Sequence, residues 1–491
     1  MNLVLVNPAS NAGHKAILPL SLLALGAVLE GRHDYRIVDG NLVADPVAAL
    51  DQALVEMDAD VLGVTVMPGP QLSQAVPICR ALKARHPRLT IVWGGYFPTQ
   101  HYEPCLRADY VDFVVRGHGE LIFAGLLDGL ETNRDISALP GLAYRRSNGE
   151  IVANALPAIP RPDQQPDFPY HRIDLGRYLR RTFLGKRTLS HHSSYGCPFF
   201  CNFCAVVNMV NGRWLAQSAE RTAGVVRRLV DDWGIDAVEF YDNNFFVHEA
   251  RTAEFSERVR DLGVAWWGEA RIDTLMKYHE PTWELMRESG LKMVFLGAES
   301  GSDETLRRMN KGGTASTAKT LEIAAKARRY GIVPEFSFVL GNPPDPEADV
   351  RQTLEFIRRV KQVNPDAEII LYTYTPVPLS GELYDQAKAS GFRFPETLEE
   401  WISPSWQEFA QRRNNHVPWL EDPLRRTIRD FERVLNAYYP TSTDTRLHGW
   451  RRSVLRALSA WRYHSRLYQF PIELRALQRV VAYQRPETSG F

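Results

Sequence analysis

The sequence predicts an α/β protein with an N-terminal Rossmann-like doubly wound domain, a (β/α)6 partial TIM barrel and a mostly helical C-terminal region. Three observations support this prediction. The chain has 491 residues, too many for one ordinary domain. Short β-branched runs alternate with helical patterns in two separate stretches. The C-terminal tail carries apolar residues at helical spacing. The expected domains are residues 1–135, a linker with a hairpin over 136–186, the barrel over 187–391 and the helical region over 392–491.

The first domain contains five predicted strands separated by helical patterns. This order is typical of a doubly wound parallel sheet. The strands are expected at Leu3–Val6, Arg36–Val38, Val61–Val66, Thr90–Trp93 and Val111–Val115, and the helices at Leu18–Glu30, Pro46–Met57, Gln71–Arg85 and Glu120–Leu127.

The loops at the carboxyl ends of these strands are the expected ligand-binding region, because doubly wound sheets bind ligands there. Glycines in such loops let the backbone approach a bulky ligand closely. The candidate residues are Asn7, Ser10, Asp39, Met67, Gly94, Gly95, Gly117, Gly119 and Glu120.

The segment that follows is interpreted as a connection without a site. A hairpin is predicted from Leu142–Arg145 and Glu150–Asn154, which flank a Ser-Asn-Gly turn. A proline-rich stretch, Pro157–Pro169, comes next.

Six strand-and-helix units then predict the partial barrel. Its strands are expected at Thr188–Ser194, Ala237–Tyr241, Ala265–Glu269, Met293–Ala298, Val333–Val339 and Ile369–Tyr374. Barrel enzymes place their chemistry at the carboxyl ends of the strands. Those ends hold the segments Asp242-Asn243-Asn244, Glu269-Ala-Arg271, Glu299-Ser300, Gly341-Asn342-Pro343 and Tyr372-Thr-Tyr374, together with a cysteine-rich loop.

The cysteine-rich loop is the most informative feature of the chain. Cys197, Cys201 and Cys204 have the spacing C-x3-C-x2-C, which lets three thiolates converge on one inorganic cluster. A cubane iron–sulfur cluster normally takes four thiolates, so three ligands leave one iron open to a small molecule. Structural zinc usually takes four protein ligands with paired spacings, which makes zinc the weaker alternative. Cys79 and Cys105 lie far upstream.

The cysteine loop, with Phe203 directly before Cys204, resembles the radical SAM superfamily. The segment from Phe295 through Gly297-Ala-Glu299-Ser300-Gly301 resembles a second motif of that superfamily. The Rossmann-like domain ahead of it looks like the cobalamin-binding domain that precedes many radical SAM cores, and the alternative is a flavodoxin-like domain without a cofactor. The chain is identified as a member of the cobalamin-binding radical SAM family.

The resemblance implies three cofactors: a [4Fe-4S] cluster on Cys197, Cys201 and Cys204, S-adenosylmethionine and cobalamin. The implied S-adenosylmethionine residues are Phe203, Asp242, Asn243, Arg271, Glu299, Ser300 and Gly341. The guanidinium of Arg271 suits a carboxylate, and the alternative is an Arg271–Glu299 ion pair that lines the barrel. In family members, the glycine corresponding to Gly341 leaves room for adenine.

Two tyrosines on the last barrel strand are further candidates. Tyr372 and Tyr374 alternate along the strand and so face the same side. Facing inward they are candidate catalytic residues, and facing outward they pack against a helix.

The expected cobalamin domain departs from relatives that place a histidine on cobalt. Their D-x-H-x-x-G motif does not occur in this sequence, so we expect no histidine from the domain on the lower face of cobalt. His14 and His118 remain alternative ligands because imidazole binds metals well. Met67 either covers the lower face without coordination or packs in the core.

The implied function is reductive cleavage of S-adenosylmethionine to a 5'-deoxyadenosyl radical, followed by methylation of an unactivated carbon. Cyclisation, rearrangement or oxidation without methyl transfer is the alternative, and a non-catalytic cobalamin or redox sensor is a second one. The expected partners are a small-molecule or natural-product substrate and an electron donor such as flavodoxin or ferredoxin. The sequence does not identify the substrate.

Charge and composition indicate which partners and which cellular compartment to expect. Lys+Arg and Asp+Glu both number 58, so no overall field favours nucleic acid. The N-terminus lacks a signal-peptide pattern, and the longest apolar stretch, Ile17 to Leu29, is shorter than a membrane span. Five cysteines, three of them clustered, suit a reducing compartment. We therefore expect a cytoplasmic protein.

The C-terminal region is strongly basic. Nine arginines and one acidic residue, Glu473, lie between Arg446 and Arg485. Leu447, Trp450, Val454, Leu458 and Trp461 have helical spacing. A basic amphipathic helix that contacts a membrane surface and a docked helix with a solvated arginine face both explain this pattern.

Overall fold

The computed structural model describes residues 1–10, 16–311, 313–378, 381–410, 417–441, 443, 447 and 449–480. These residues form two compact units. Unit 1 comprises Met1–Arg180, Asn208–Gln217 and Arg393–Gln411, and unit 2 comprises Arg181–Val207, Ser218–Phe392 and Arg412–Phe491.

The strands and helices alternate along most of the chain. The strands are β1 Asn2–Asn7, β2 Asp34–Asp39, β3 Val61–Thr65, β4 Thr90–Gly94, β5 Phe113–Val115, β6 Leu142–Arg145, β7 Ile151–Ala153, β8 Thr188–His191, β9 Ser194–Gly196, β10 Trp214–Ala216, β11 Ala237–Phe240, β12 Ala265–Ala270, β13 Leu291–Glu299, β14 Val333–Leu340 and β15 Glu368–Thr373. The α-helices are α1 Leu20–Leu29, α2 Pro46–Met57, α3 Pro70–Arg85, α4 Tyr96–Gln100, α5 Tyr102–Arg107, α6 Gly119–Thr132, α7 Val206–Val210, α8 Ala219–Trp233, α9 Glu249–Val259, α10 Ile272–Leu275, α11 Glu280–Glu288, α12 Asp303–Arg308, α13 Thr317–Tyr330, α14 Pro346–Val363, α15 Glu382–Ala389, α16 Leu398–Trp401, α17 Pro404–Ala410, α18 Asp422–Tyr438, α19 Trp450–Ser465 and α20 Ile472–Val480. Short 3₁₀ helices occur at Pro162–Gln164, Tyr170–Arg172, Leu175–Tyr178 and Arg260–Leu262.

Unit 1 is built on a seven-stranded sheet with the order β2-β1-β3-β4-β5-β6-β7. Strands β1 to β5 are parallel, as the alternating sequence pattern predicts. Their side chains form two apolar clusters. Burial on both faces explains why β1, β3, β4 and β5 are mostly apolar runs, whereas the edge strand β2 also contains charged residues.

The predicted hairpin is present, and it belongs to the sheet of unit 1. Strand β6 pairs antiparallel with β5, and β7 pairs with β6. The residues after the hairpin also contact unit 1: Tyr178 Oη donates to Asp39 at 2.9 Å and Arg172 Nε donates to Glu30 at 2.7 Å. The segment interpreted as a linker is thus packed on this unit.

Two short helices of unit 1, α4 and α5, are absent from the sequence prediction. They have five and six residues, too few to show a helical period. A segment from the expected C-terminal region also belongs to unit 1. The Trp401 ring lies 4.9 Å from Phe97 and 4.6 Å from His101, and Arg80 pairs with Glu399.

Unit 2 contains a six-stranded parallel sheet with the order β15-β14-β13-β12-β11-β8. A helical segment separates each pair of consecutive strands, as expected for a (β/α)6 partial barrel. The parallel register brings the carboxyl ends of all six strands to one edge, where the predicted site residues lie.

The helices α18, α19 and α20 complete unit 2. The rings of Tyr438 in α18 and Tyr463 in α19 stack at 4.5 Å, and Arg358 of α14 donates to the Tyr463 carbonyl at 2.5 Å. Within the described residues, no helix is both long and apolar enough to cross a membrane.

Gly301, after β13, packs against the backbone of α14. A Cβ atom here would lie 2.7 Å from Thr353 Cα and 2.6 Å from Phe356 Cβ. We expect Gly301→Ala to destabilise unit 2 by about 1–3 kcal/mol, because overpacking displaces the helix. Gly224 is the control, since it lies exposed in α8 with no atom within 4 Å of its Cβ position. Gly224→Ala should raise the thermal midpoint slightly, and equal midpoints for the two variants would contradict this account.

Candidate active site

The cysteine loop follows β9 and is fastened to the end of α12. Asn202 Nδ2 donates to the Arg308 carbonyl at 2.6 Å, and Asn202 N donates to the Met309 carbonyl at 3.1 Å. In return, Asn310 Nδ2 donates to the Phe200 carbonyl at 2.9 Å. These bonds fix the loop although α12 lies about a hundred residues later in the sequence.

The three thiols of this loop influence one another and lie near two cations. Burial raises the pKa of all three thiols, and that of Cys204 reaches about 12. Arg271 and Lys311 oppose this effect at Cys197 and Cys201 by favouring their thiolate forms. Cys201 is buried, whereas Cys197 and Cys204 are partly exposed. Among the described side chains, no three His, Cys, Asp or Glu groups are placed to hold a single metal ion.

Arg271, at the end of β12, connects the loop to the barrel. Its Nη1 donates to Cys201 Sγ at 3.2 Å, and its Nη2 donates to the Lys311 carbonyl at 2.6 Å. Nε and Nη2 also bind both carboxylate oxygens of Asp273, at 3.0 and 2.9 Å. The guanidinium lies 3.8 Å above the Phe199 ring. Four of its five N–H groups are thus used within unit 2.

The alternative Arg271–Glu299 ion pair is wrong, because each residue has another partner. Glu299 Oε1 accepts from Lys311 Nζ at 2.9 Å, and Lys311 also donates to the Gly297 carbonyl. Glu299 has a φ of 64°, unusual for a residue with a side chain. A Cβ at position 297 would lie 2.1 Å from Glu299 Oε1. Glycine at 297 therefore makes the buried Glu299–Lys311 pair possible.

The segment after β11 separates its residues into different environments. Asp242 is fully buried and accepts bonds from Ser193 N at 3.0 Å and Ser193 Oγ at 2.7 Å. Asn243 is exposed. Asn244, which was not among the predicted binding residues, places Nδ2 3.8 Å from Cys197 Sγ. Of these three residues, Asn244 is the one in contact with the cysteine loop.

The turn after β14 is organised by Asp349 of α14. Asp349 Oδ2 accepts from Gly341 N at 2.9 Å, and from the backbone and side chain of Asn342 at 3.1 Å. Its other oxygen accepts from Ser300 Oγ at 3.4 Å. The φ of Gly341 is 76°, and a Cβ here would meet Leu420 at 3.0 Å. The space beside Gly341 is therefore occupied by Leu420.

The two candidate tyrosines have different surroundings. Tyr374 is buried, and its ring lies 5.9 Å from that of Trp419. Tyr372, within β15, is partly exposed. Phe203 is partly exposed in the cysteine loop.

Unit 2 contains four carboxyl groups that the sequence did not single out as a group: Glu239, Glu335 and Glu368 are buried, and Glu269 is partly exposed. Burial, followed by the charge of Glu368, holds the pKa of Glu335 well above its usual range. Glu269 and Glu239 act on Glu335 in the same direction. The other three carboxyl groups, which come from β11, β12 and β15, are thus close enough for their charges to affect Glu335 in β14.

In unit 1, Asn7 and Asp39 belong to a buried hydrogen-bond network at the carboxyl ends of β1 and β2. Asn7 Nδ2 donates to Asp39 Oδ1 at 3.0 Å, and Gln71 Nε2 donates to Asn7 Oδ1 at 2.7 Å. Asn41 donates to the same Asp39 oxygen and accepts from Ser10 N. The structure thus brings Asn7, Ser10 and Asp39 together, and their polar groups hold the loops in place.

Thr99 connects the glycine-containing loops after β4 and β5. Its Oγ1 donates to the Gly95 carbonyl at 2.7 Å and accepts from Gly117 N at 3.0 Å. The φ angles of Gly95 and Gly117 are 99° and 79°, which favours glycine. Gly94 ends β4, whereas Gly119 and the buried Glu120 begin α6. No sequence signal distinguished Thr99.

The cobalt-facing candidates remain predictions. Met67 is partly exposed, and its backbone N donates to Gln71. His118 is the N-terminal capping position of α6 and is partly buried. His14 lies outside the described residues.

Two segments of the chain match known protein families. Residues 14–127 match the B12 binding domain, and residues 192–357 match the radical SAM superfamily. The first segment contains the loops after β2 to β5. The second contains the three cysteines of the loop, Arg271, Glu299 and Gly341.

Known proteins are similar over most of this chain. An uncharacterized methyltransferase from Pyrococcus horikoshii is 27% identical over 370 residues, which cover 73% of this chain and 78% of the relative. The anaerobic magnesium-protoporphyrin IX monomethyl ester cyclase of Synechocystis is 29% identical over 394 residues, covering 76% and 74%. The solved structure of OxsB, a cobalamin-dependent S-adenosylmethionine radical enzyme, with aqua-cobalamin bound matches with a TM-score of 0.63 and 20% identity, over 82% of this chain and 56% of OxsB. This chain thus spans just over half the length of OxsB.

Glu269 should make the stability of unit 2 depend on pH. Burial, with a contribution from Asp242, raises the pKa of Glu269 to about 8. Because the folded state holds this proton and the unfolded state releases it near its ordinary pKa, stability should fall as pH rises from about 4.5 to 8, by at most about 1.4 kcal/mol per pH unit. Glu269→Gln should reduce this slope in thermal unfolding of the metal-free chain. An unchanged slope would contradict the raised pKa.

Proposed function

We propose that this chain, a cobalamin-dependent radical SAM enzyme by its two domains, methylates an unactivated carbon of a small-molecule substrate. One observation carries the proposal. Three thiols lie in one loop beside Arg271 and Lys311, in a chain that also contains a B12 binding domain.

The donor set of the loop fits an iron–sulfur cluster. Cys197, Cys201 and Cys204 would supply three thiolates, and the fourth coordination position would be left to S-adenosylmethionine, because a cubane takes four ligands. When bound, the cluster supplies the electron that cleaves S-adenosylmethionine to methionine and a 5'-deoxyadenosyl radical. The two cations beside the thiols favour the deprotonated form that a metal needs.

Residues around the loop would position S-adenosylmethionine. Arg271 retains one N–H group for a carboxylate after its bonds within unit 2. Asn244 lies beside Cys197. Glu299, held by Lys311 in a strained backbone conformation, is a candidate for the amino group or the ribose. Phe203, Asp242, Asn243, Ser300 and Gly341 remain candidates for S-adenosylmethionine. Tyr372 and Tyr374 remain candidates for proton transfer.

The loops of unit 1 are the candidate cobalamin-binding region. Gly69, Gly95 and Gly117 follow three consecutive strands, and all have positive φ, which favours glycine. The position of a Cβ atom at Gly69 has no atom within 4 Å, whereas at Gly95 it lies 3.2 Å from the backbone of Val66. Cobalamin bound there supplies a methyl group. We propose no histidine ligand from this domain, because the histidine motif is absent from the sequence.

Methyl transfer is preferred because the Pyrococcus relative is named a methyltransferase. The Synechocystis relative is a cyclase, so cyclisation without methyl transfer is the second candidate. In either case, an electron donor such as flavodoxin or ferredoxin would reduce the cluster before S-adenosylmethionine is cleaved.

The cluster assignment predicts a sharp difference between cysteines. Replacing Cys197, Cys201 and Cys204 together with alanine should remove the cluster, whereas the wild-type chain should take up about four irons after anaerobic reconstitution. Cys79→Ala and Cys105→Ala are the controls, since both thiols are buried in unit 1. These controls should keep the full iron content. A triple variant that keeps it would refute the assignment.

The methyl-transfer proposal predicts the fate of labelled S-adenosylmethionine. With a deletion-strain extract as substrate source and dithionite as reductant, methyl-deuterated S-adenosylmethionine should pass its label to a new product. Two molecules should be consumed per turnover, giving roughly equal S-adenosylhomocysteine and 5'-deoxyadenosine by mass spectrometry. Substrate-dependent 5'-deoxyadenosine without S-adenosylhomocysteine, and a product without label, would replace methylation by cyclisation or rearrangement.

A further inference from the structure

Helix α19 carries an exposed apolar stripe of four large side chains. Trp450, Val454, Leu458 and Trp461 are 72%, 43%, 48% and 52% exposed. Their spacing of four, four and three residues places them within about a quarter of the helix circumference. We call these four residues the α19 stripe.

The α19 stripe is not the face by which the helix docks on unit 2. The docked face contains Leu455, Ser459, Arg462 and Tyr463, all buried. The docked-helix interpretation of the sequence is therefore correct in placing the helix on the protein. However, the apolar residues at helical spacing from Trp450 to Trp461 point away from the core.

The apolar surface continues beyond the end of α19. Leu467, Phe470 and Ile472 are 57%, 62% and 69% exposed. Arg462 holds this segment beside α19, because its Nη1 donates to the carbonyls of Leu467 and Gln469, both at 3.0 Å. Single exposed apolar residues are ordinary, whereas seven in one segment mark an interaction surface.

The same segment is strongly basic. Between Trp450 and Val480 the chain has seven arginines and one acidic residue, Glu473. Glu473 pairs with Arg462. Arg451, Arg456, Arg466 and Arg475 are exposed. Of these, Arg466 pairs with Glu355 at 3.1 Å and Arg475 pairs with Asp430 at 2.8 Å.

We propose that the α19 stripe and its basic surroundings lie on the surface of an anionic lipid bilayer. Tryptophan favours the boundary between headgroups and acyl chains, and arginine reaches the headgroups while its stem stays apolar. The acids beside this segment, Glu355, Asp430 and Glu473, already pair with its arginines within one chain. A two-fold contact between copies would therefore bring arginine-rich segments together without further acids, whereas anionic headgroups supply the opposite charge. The helix would lie in the interface rather than cross it. This inference does not depend on the proposed reaction.

Vesicle flotation of the full chain tests the proposal. The wild-type chain should float with vesicles of phosphatidylcholine and phosphatidylglycerol at 7:3 and at least ten-fold less with pure phosphatidylcholine. Replacing the α19 stripe with serine should reduce flotation at least ten-fold. The matched control is Val55→Ser with Leu121→Ser, because these residues are 68% and 55% exposed in unit 1. The control variant should float like the wild-type chain. Addition of 0.5 M salt should weaken the binding of the wild-type chain to the anionic vesicles.

Three outcomes would overturn the proposal. The stripe variant could float as well as wild type while keeping the wild-type thermal midpoint. In sedimentation without vesicles, the wild-type chain could be a dimer and the stripe variant a monomer. This result would assign the surface to a second copy of the chain. If the chain floats only after residues 481–491 are removed, this segment, rather than lipid, would be the occupant of the α19 stripe in the full chain.

Discussion

The geometry of the candidate site depends on one buried cation, Arg271. Its guanidinium binds both oxygens of Asp273, the Cys201 sulfur and the Lys311 carbonyl, and it stacks on Phe199. A buried ion pair is costly to desolvate unless further hydrogen bonds satisfy it. Here those bonds come from the cysteine loop and from the segment after α12, so satisfying Arg271 also fixes the loop against the sheet.

The chain from the end of β13 to α13 supplies the other half of the support. Gly297 leaves space for the Glu299–Lys311 pair, and Asn310 binds the backbone of the cysteine loop. Lys311 therefore has two roles: its ammonium neutralises Glu299, and its carbonyl accepts from Arg271. Both cations favour the thiolate forms of Cys197 and Cys201 and so offset part of the effect of burial, which still leaves the pKa of both thiols raised. Stability and thiolate chemistry thus depend on the same few contacts.

Local patterns in the sequence predicted the fold and singled out the three cysteines, whose role as cluster ligands stays a prediction. Strand–helix alternation is a local signal, and so is C-x3-C-x2-C spacing. Partners that meet only in the folded chain gave no such signal, and no local pattern singled out Asp273, Lys311 or Asp349. The alternative Arg271–Glu299 pair is not formed for this reason, because closer partners satisfy each group. Likewise, periodicity located the α19 stripe but not the face by which α19 docks.

The central claim is that three cysteines leave one iron for S-adenosylmethionine. Electron–nuclear double resonance on the reduced, reconstituted chain tests this directly, with S-adenosylmethionine carrying nitrogen-15 in its amino group and oxygen-17 in its carboxylate. The account predicts hyperfine coupling from both labels to the cluster. The contradicting result is a chain that holds a complete cluster and binds S-adenosylmethionine, yet shows no hyperfine coupling from either label.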